Sequence, residues 1–308
     1  MRNGKSVTVI LELRARFDEE ANLEWKERLE EAGVKVFIGA PNLKVHAKLC
    51  LIKKRINNHT IHFGFVSTGN LNEKTSRLYG DHCLLTSDRH IMADVNRIFT
   101  YLENPKNIQP LKSCKRLIVS PVSMRKQLHL LIDKEIKSAS EGKHASITLK
   151  LNSLSDEELI LKLYAAARAG VKLKMIIRGI CCMFTENKKF KKKIKAISIV
   201  DEYLEHSRVM IFYHDGKEKV FISSADWMVR NIDHRVEATC PIYDKEIQRE
   251  LKEILGIQLA DNVKARILDN ELSNIYVESE STKKIRSQIE TYNYLLKKKY
   301  IPGEIVSN

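Results

Sequence analysis

Long apolar runs are missing from the 308-residue chain. None approaches the roughly 20 residues needed to cross a bilayer, so no membrane-spanning helix is expected. The start, "MRNGKSVTVILEL", lacks a signal peptide's order of basic stretch, apolar stretch and small-residue cleavage site, which makes a cytoplasmic chain the expectation. Cysteine is sparse: the six residues (Cys50, Cys83, Cys114, Cys181, Cys182 and Cys240) form no C-x-x-C and no regular spacing. A disulfide framework and a zinc ribbon are therefore excluded, and reduced thiols are expected. Neither G-x-x-x-x-G-K-[ST] nor H-R-D occurs, so a bound nucleotide would have to be held by another scheme.

Positive charge is what the chain has in excess. Its 53 Lys and Arg stand against 39 Asp and Glu, a net charge of +14, which points to a polyanionic partner: nucleic acid, an anionic membrane surface or phosphates. Charge alone does not choose among them. With 43% hydrophobic residues the chain can bury a substantial core, and its length favours two domains over one.

The pattern along the chain repeats. "VTVILELRAR" reads as a strand, and "DEEANLEWKERLEEAG" as a helix with Ala21, Trp25, Leu29 and Ala32 on one face, Asp18 as N-cap and Gly33 as stop. "VKVFIG", "HAKLCLIKKR", "HTIHFGFVST" and "CLLTS" follow as strands, the second and third of these joined through Asn57-Asn58, and "RHIMADVNRIFTYLEN" as a helix. The proline-containing "PKNIQPLKS" (105–113) reads as a connection, dividing the chain into units 1–107 and 108–308. Beyond it, "SITLKLNSLSDEELILKLYAAARAGVKLKMIIRG" is again strand, helix, strand, with Ser155 and Glu158 spaced as a capping box and Gly170 ending the helix. "DEE" and "AGV" recur in both units, so the chain carries an internal duplication, with about 23 extra residues in the second copy.

Each copy contains a histidine followed two residues later by a cation: His46 and Lys48, then His206 and Arg208. Each histidine is followed by a small hydroxyl-bearing turn, "STGN" (67–70) and "SSAD" (223–226). A neutral imidazole can attack phosphorus and hold the phosphoryl group as a phosphoramidate, and cations with turn N–H groups suit the equatorial oxygens. Two such half-sites facing each other would make one phosphate cleft. Recurrence at matching points separates His46 and His206 from the other eight histidines, which read as packed or surface residues. The nucleophile is expected to be His46, because Asp226 in "SSAD" adds negative charge beside His206.

H-x-K followed by "TGN" in a duplicated α/β unit resembles the phospholipase D superfamily. The Asp that follows the lysine after four residues there is replaced by Lys53, and in the second copy by Tyr213. "LKVHAKL", "STGNLNEKTSRLYGDHCLLT", "RGICC", "SIVDEYLEHSR" and "SSADWMVRNIDHRVE", in that order, resemble the C-terminal half of bacterial polyphosphate kinase. The resemblance implies an α/β fold of two duplicated phospholipase D-like domains with mixed sheets and the site at their interface. It implies His46 as phosphohistidine nucleophile, His206 as the facing histidine, and Lys48 as a catalytic cation. Nucleotide and phosphate contacts fall to Tyr79, Arg178, His206, Asn70 and Arg208. Arg16 falls at the magnesium site, acting through phosphate oxygens because guanidinium has no lone pair for a metal.

The activity implied is reversible transfer of the ATP γ-phosphate to inorganic polyphosphate, with Mg2+ as cofactor and ATP and ADP as substrates. No nucleic-acid partner is expected, and peripheral association with the inner face of the membrane is compatible with the charge. The family's enzyme is longer and homo-oligomeric, so the chain reads as a fragment or one piece of a split protein. The competing readings are a phospholipase D-like phosphodiesterase or nuclease, and a non-catalytic polyanion-binding module. The lysine run in "CMFTENKKFKKKIK" reads either as a solvated face or as a contact for polyphosphate.

Overall fold

A computed structural model describes residues 1, 3–12, 19–40, 42–278 and 282–298. Arg16 and Asp18 lie outside the described residues. The first copy runs β1 (Thr8–Leu11), α1 (Glu19–Glu31), β2 (Lys35–Ile38), β3 (Lys44–Val45), β4 (Lys48–Ile56), β5 (His59–Ser67), α2 (Glu73–Ser76), β6 (Tyr79–Gly80), β7 (Cys83–Thr86) and α3 (Arg89–Glu103). The chain continues through α4 (Gln109–Lys112), β8 (Ile118–Ser120), α5 (Met124–Ser140), β9 (Ser146–Leu151), α6 (Glu157–Ala169), β10 (Lys172–Ile177) and β11 (Lys195–Ile199). It ends with β12 (Leu204–Glu205), β13 (Arg208–Phe212), β14 (Lys219–Ser223), α7 (Val229–Asp233), β15 (Arg235–Ile242), α8 (Lys245–Leu259), β16 (Ala265–Ile267) and α9 (Ser287–Lys297).

The fold is the mixed α/β arrangement the repeat implied. The second copy builds the large sheet, ordered β16-β11-β10-β9-β13-β14-β15-β3, with β8 also on β15. β9, β10 and β11 are parallel, the β9–β13, β13–β14, β14–β15 and β15–β8 pairs are antiparallel, and β3 joins β15 in parallel. Alternation along β13 sends Met210 and Phe212 to a core with α5 and α6, and Val209 and Ile211 to a core with α3 and α8. Helix α3 belongs to the first copy, yet its Ile91, Val95 and Ile98 pack in the same cluster as Ile222 and Val236 of the second. The two copies thus share one continuous core.

In the first copy β1 and β2 form a parallel pair, and β4, β5 and β7 a separate antiparallel sheet. Asn57 and Asn58, at φ +46° and +65°, make the two-residue turn between β4 and β5. The apolar face read from α1 is largely uncovered: Trp25 is 51% exposed, with the Arg28 guanidinium 4.5 Å from its ring centroid. Gly170 ends α6 in the left-handed region, at φ +105°. The cap at the start of α6 is Asp156, not Ser155: its side chain accepts from Leu159 N at 3.0 Å. Glu158 instead pairs with Arg125 at 2.9 Å, and Arg125 also binds Asp156. The connection at 105–113 contains a helical turn, α4.

Asp94 locks α3 to the strand that enters the second copy. It is fully buried, and its Oδ2 accepts from the backbone N–H groups of Lys115, Arg116 and Leu117 at 2.9, 2.6 and 2.9 Å. Asp94→Ala leaves three N–H donors without their acceptor, and urea unfolding is expected to show a loss of about 3 kcal/mol. No described helix is long and apolar enough to cross a membrane.

Candidate active site

Both histidines sit where a strand breaks. β3 ends at Val45, and β4 begins at Lys48. In the gap, the N–H groups of His46 and Ala47 both donate to the Val236 carbonyl, at 2.9 and 3.0 Å. In the second copy β12 ends at Glu205 and β13 begins at Arg208. There the N–H groups of His206 and Ser207 both donate to the Gly80 carbonyl, at 3.2 and 2.9 Å. The register matches as well, since Val45 pairs with Val236 and Glu205 with Gly80, both in parallel. Each histidine is therefore seated on a strand of the other copy.

The residue after each of those carbonyls is a carboxylate aimed at the ring. His46 Nδ1 lies 2.9 and 3.0 Å from the two carboxylate oxygens of Glu237. His206 Nδ1 lies 3.0 and 2.8 Å from those of Asp81. A carboxylate beside Nδ1 fixes the tautomer with the proton there and leaves Nε2 with its lone pair. The carboxylates are themselves held by the second residue of each hydroxyl turn, Thr68 on Asp81 at 2.6 Å and Ser224 on Glu237. Glu237 is wholly buried and takes a further bond from Asn231 Nδ2 at 2.7 Å. Gly69 is needed for this fit, because a Cβ there would fall 1.8 Å from Asp81 Oδ2.

The cations follow the same symmetry and then depart from it. Lys48 Nζ donates to the His46 carbonyl, and Arg208 Nη1 donates to the His206 carbonyl at 2.9 Å. Arg208 is neutralised by Asp226, with Nη2–Oδ2 at 3.0 Å and Nε–Oδ1 at 3.3 Å. At the place matching Asp226 the first copy has the uncharged, exposed Asn70. Asp226 is also fixed by the N–H groups of Asn152 and Ser153, at 2.8 and 3.1 Å, so its charge is spent on the scaffold rather than facing His206.

The electrostatics join the two half-sites. Burial pushes the His46 imidazole below its ordinary value, and Lys48 and Arg208 add to this against the pull of Glu237. His206 is lowered for the same first reason, with Arg208 and Lys48 adding and Asp81 opposing. Lys48 is brought down to about 7, chiefly by burial and also by Arg208. Both rings are thus neutral near pH 7.

Tyr79 and Arg178 lie on the His206 side. The Tyr79 ring centroid is 5.1 Å from that of His206. Arg178 Nε donates to Asn152 Oδ1 at 2.9 Å, and Asn152 Nδ2 donates to the His206 carbonyl at 3.0 Å. Among the described residues no group of three or more His, Cys, Asp or Glu could hold a metal. The site carboxylates Glu237 and Asp81 each already accept from a histidine ring and a hydroxyl, so these residues do not form a protein cage for a hard cation.

Sequence reading missed Glu237 and Asp81. The signal was present: each lies 14 residues after the first serine of its hydroxyl turn, Ser67 to Asp81 and Ser223 to Glu237.

Family models covering both copies match. "Polyphosphate kinase C-terminal domain 1" matches residues 1–108 and "Polyphosphate kinase C-terminal domain 2" residues 117–288. The chain belongs to the polyphosphate kinase family. A polyphosphate kinase of Vibrio vulnificus is 51% identical over 96% of the chain and 42% of its own length. That of Escherichia coli K12 is 47% identical over 95% of the chain and 42% of its own length. The crystal structure of the Porphyromonas gingivalis polyphosphate kinase superposes with a TM-score of 0.87 at 41% identity, over 96% of the chain and 45% of its own. The chain therefore spans less than half the length of these relatives. A phosphatidylserine synthase of Haemophilus influenzae, 13% identical with a TM-score of 0.52 over 95% of the chain and 80% of its own, shares the fold alone.

Proposed function

We propose that the chain carries the transfer centre of an ATP:polyphosphate phosphotransferase, with His46 as nucleophile. The observation that carries this is the His46–Glu237 pair: Nδ1 is engaged by a buried carboxylate, so Nε2 is the free nucleophilic atom. Nε2 attacks the γ-phosphorus of ATP. The N–P bond forms as the bond from phosphorus to the β,γ-bridging oxygen breaks, and ADP leaves with that electron pair. Glu237 accepts the Nδ1–H bond throughout and offsets the charge gained by the ring. A terminal oxygen of polyphosphate then attacks the phosphoramidate, and the electron pair of the N–P bond returns to Nε2. The reverse sequence makes ATP.

Lys48 and Arg208 receive the equatorial oxygens in this scheme, and His206 with Tyr79 and Arg178 receives the nucleotide or acceptor. Asp226 neutralises Arg208 beside His206, whereas the matching place in the first copy holds the uncharged Asn70, which favours His46 over His206 as the residue that carries the phosphoryl group. Magnesium, in this reading, is held by substrate phosphate oxygens, with Arg16 on those oxygens. Units 1–107 and 108–308 act as two lobes of one site in a cytoplasmic protein that can rest on the inner membrane face and is homo-oligomeric when complete. Hydrolysis is disfavoured by Lys53 and Tyr213 at the acidic positions of the hydrolytic superfamily.

The test is phosphoenzyme formation. Labelled ATP, given to the chain joined to the N-terminal portion of its Vibrio relative, is expected to leave an acid-labile, base-stable label. His46→Ala is expected to abolish the label, and His206→Ala to slow turnover while leaving label on His46. Label on the His46→Ala protein, or label that survives acid, overturns the assignment.

A further inference from the structure

Residues 172–195 hold nine Lys or Arg against the single Glu186, more than half of the chain's net charge of +14. The segment between β10 and β11 follows a defined path. It leaves β10 at Arg178, whose side chain is on Asn152 beside His206. Ile180 and Cys182 then bond to Leu154 ahead of α6, Phe184 N–H donates to the Tyr164 hydroxyl at 2.8 Å, and Lys191 N–H donates to the Ala167 carbonyl at 3.2 Å. The segment thus descends alongside α6, a helix about 20 Å long, from the site to the opposite end of the sheet. Phe190 anchors it by stacking on Tyr164, with ring centroids 5.8 Å apart and planes inclined by 25°.

Lys188, Lys189, Lys191 and Lys192 are exposed along the lower part of this path, beside an open cleft of about 430 Å³ lined by Thr185, Glu186, Asn187, Lys188, Phe190 and Lys193. Among the described residues the carboxylate paired with this run is Glu186, 3.7 Å from Lys193. At the bottom the run meets Lys195, which is in register with Lys174 on β10, and Lys172 lies two residues before Lys174 on the same face. Lys195 Nζ caps the Leu259 carbonyl at the end of α8, and burial with Lys174 and Lys172 lowers its pKa. Like charges side by side on adjacent strands cost stability, and an anion laid across them removes that cost.

We propose that this lysine run and the Lys172–Lys174–Lys195 rim form a docking track for long inorganic polyphosphate, separate from the transfer site and leading away from Arg178. The inference rests on the transfer reading above and gives that site a place to hold the chain it extends. A file of lysines along the lower part of a segment that leaves the site at Arg178, continuing onto the Lys172–Lys174–Lys195 rim, fits a thin, flexible polyanion. Phe184, 62% exposed in the same segment, gives a membrane surface a competing claim, which the experiment includes.

The 308-residue chain is compared with a variant carrying Lys188→Gln, Lys189→Gln, Lys191→Gln and Lys192→Gln, and with a control of equal charge carrying Lys54→Gln, Lys74→Gln, Lys106→Gln and Lys112→Gln. Binding of end-labelled long polyphosphate is measured across a salt series. The track variant is expected to lose about tenfold or more in affinity at 0.1 M salt, and the slope of log affinity against log salt to fall by about 3, as for four lost phosphate contacts. Its melting temperature, its affinity for tripolyphosphate and the control's affinity for the long chain are expected to stay as in the parent. Parent-like binding of the long chain by the track variant, or an equal loss in the control, overturns the proposal. So does loss of binding to phosphatidylglycerol vesicles with polyphosphate binding intact, which assigns the surface to a membrane. If the completed chain never labels His46 while long-chain affinity still depends on the four lysines, the transfer reading fails and the docking track stands.

Discussion

Glu237→Gln is expected to lower the rate of phosphoenzyme formation in the completed chain by about 10²–10⁴-fold, with a much smaller change in KM for ATP. The reason lies in the donor count around one carboxylate. Glu237 accepts from His46 Nδ1, Asn231 Nδ2 and the Ser224 hydroxyl. A glutamine offers one acceptor oxygen in place of two and adds two N–H donors, so the amide cannot satisfy all three neighbours. Where its NH2 group faces His46, the ring takes the other tautomer, and the proton moves to Nε2, the attacking atom in the proposed transfer. The imidazolium-like charge of the phosphorylated ring also loses its counterion. Rapid-quench labelling reads the effect directly. Asp81→Asn, which disturbs the second histidine in the same way, is expected to slow overall turnover by about tenfold while labelling persists. A Glu237→Gln protein that labels at the parent rate would show that the carboxylate plays no part in presenting Nε2.

The same pair shows where the sequence was legible. His46 with Lys48 and His206 with Arg208 stand two residues apart in repeated surroundings, so local spacing revealed them. Glu237 and Asp81 are 191 and 125 residues from the rings they hold, because each copy supplies the carboxylate for the other's histidine. Periodicity carries no information about such a crossing. What carries it is the duplication itself, through the 14-residue interval from Ser67 to Asp81 and from Ser223 to Glu237. The β-α-β unit of β9, α6 and β10 was legible because its apolar spacing and Gly170 stop agree with burial. The apolar face of α1 obeys the same spacing yet leaves Trp25 half exposed, since amphipathicity says that a face is apolar and not what covers it. β3 and β12 have two residues each, too few to show any period, and exist only through pairing with β15 and β6. The cap on α6 was misplaced by one residue because Ser155 and Asp156 are both good caps, and Arg125 adds its pairing to Asp156.

Lys48→Met is expected to lower the labelling rate by about 10²–10³-fold, the usual cost of removing one charged donor from a developing phosphoryl transition state. The pH dependence separates this role from a packing effect. Lys48 must carry its proton to serve as a cation, and its buried position brings its pKa down to about 7 in the free protein. His46 must be without its second proton, and its pKa lies below the ordinary histidine value. The rate constant kcat/KM for ATP, which reports the free protein, is therefore expected to rise with pH as His46 loses its proton and to fall above about pH 7 as Lys48 loses its own. The kcat limb lies at higher pH, because bound phosphates favour the charged lysine. Lys48→Arg keeps the charge at all accessible pH values, since guanidinium does not deprotonate, so the falling limb of kcat/KM disappears even where the absolute rate drops through poorer fit. The lysine's depressed pKa also has a signature in stability. Between about pH 7 and the unfolded lysine value the unfolded chain binds more protons, so the Lys48 contribution to stability improves as pH rises through that window. Equal alkaline limbs in the parent and the Lys48→Arg protein would remove Lys48 from the transition state and leave Arg208, already neutralised by Asp226, as the cation to be tested in its place.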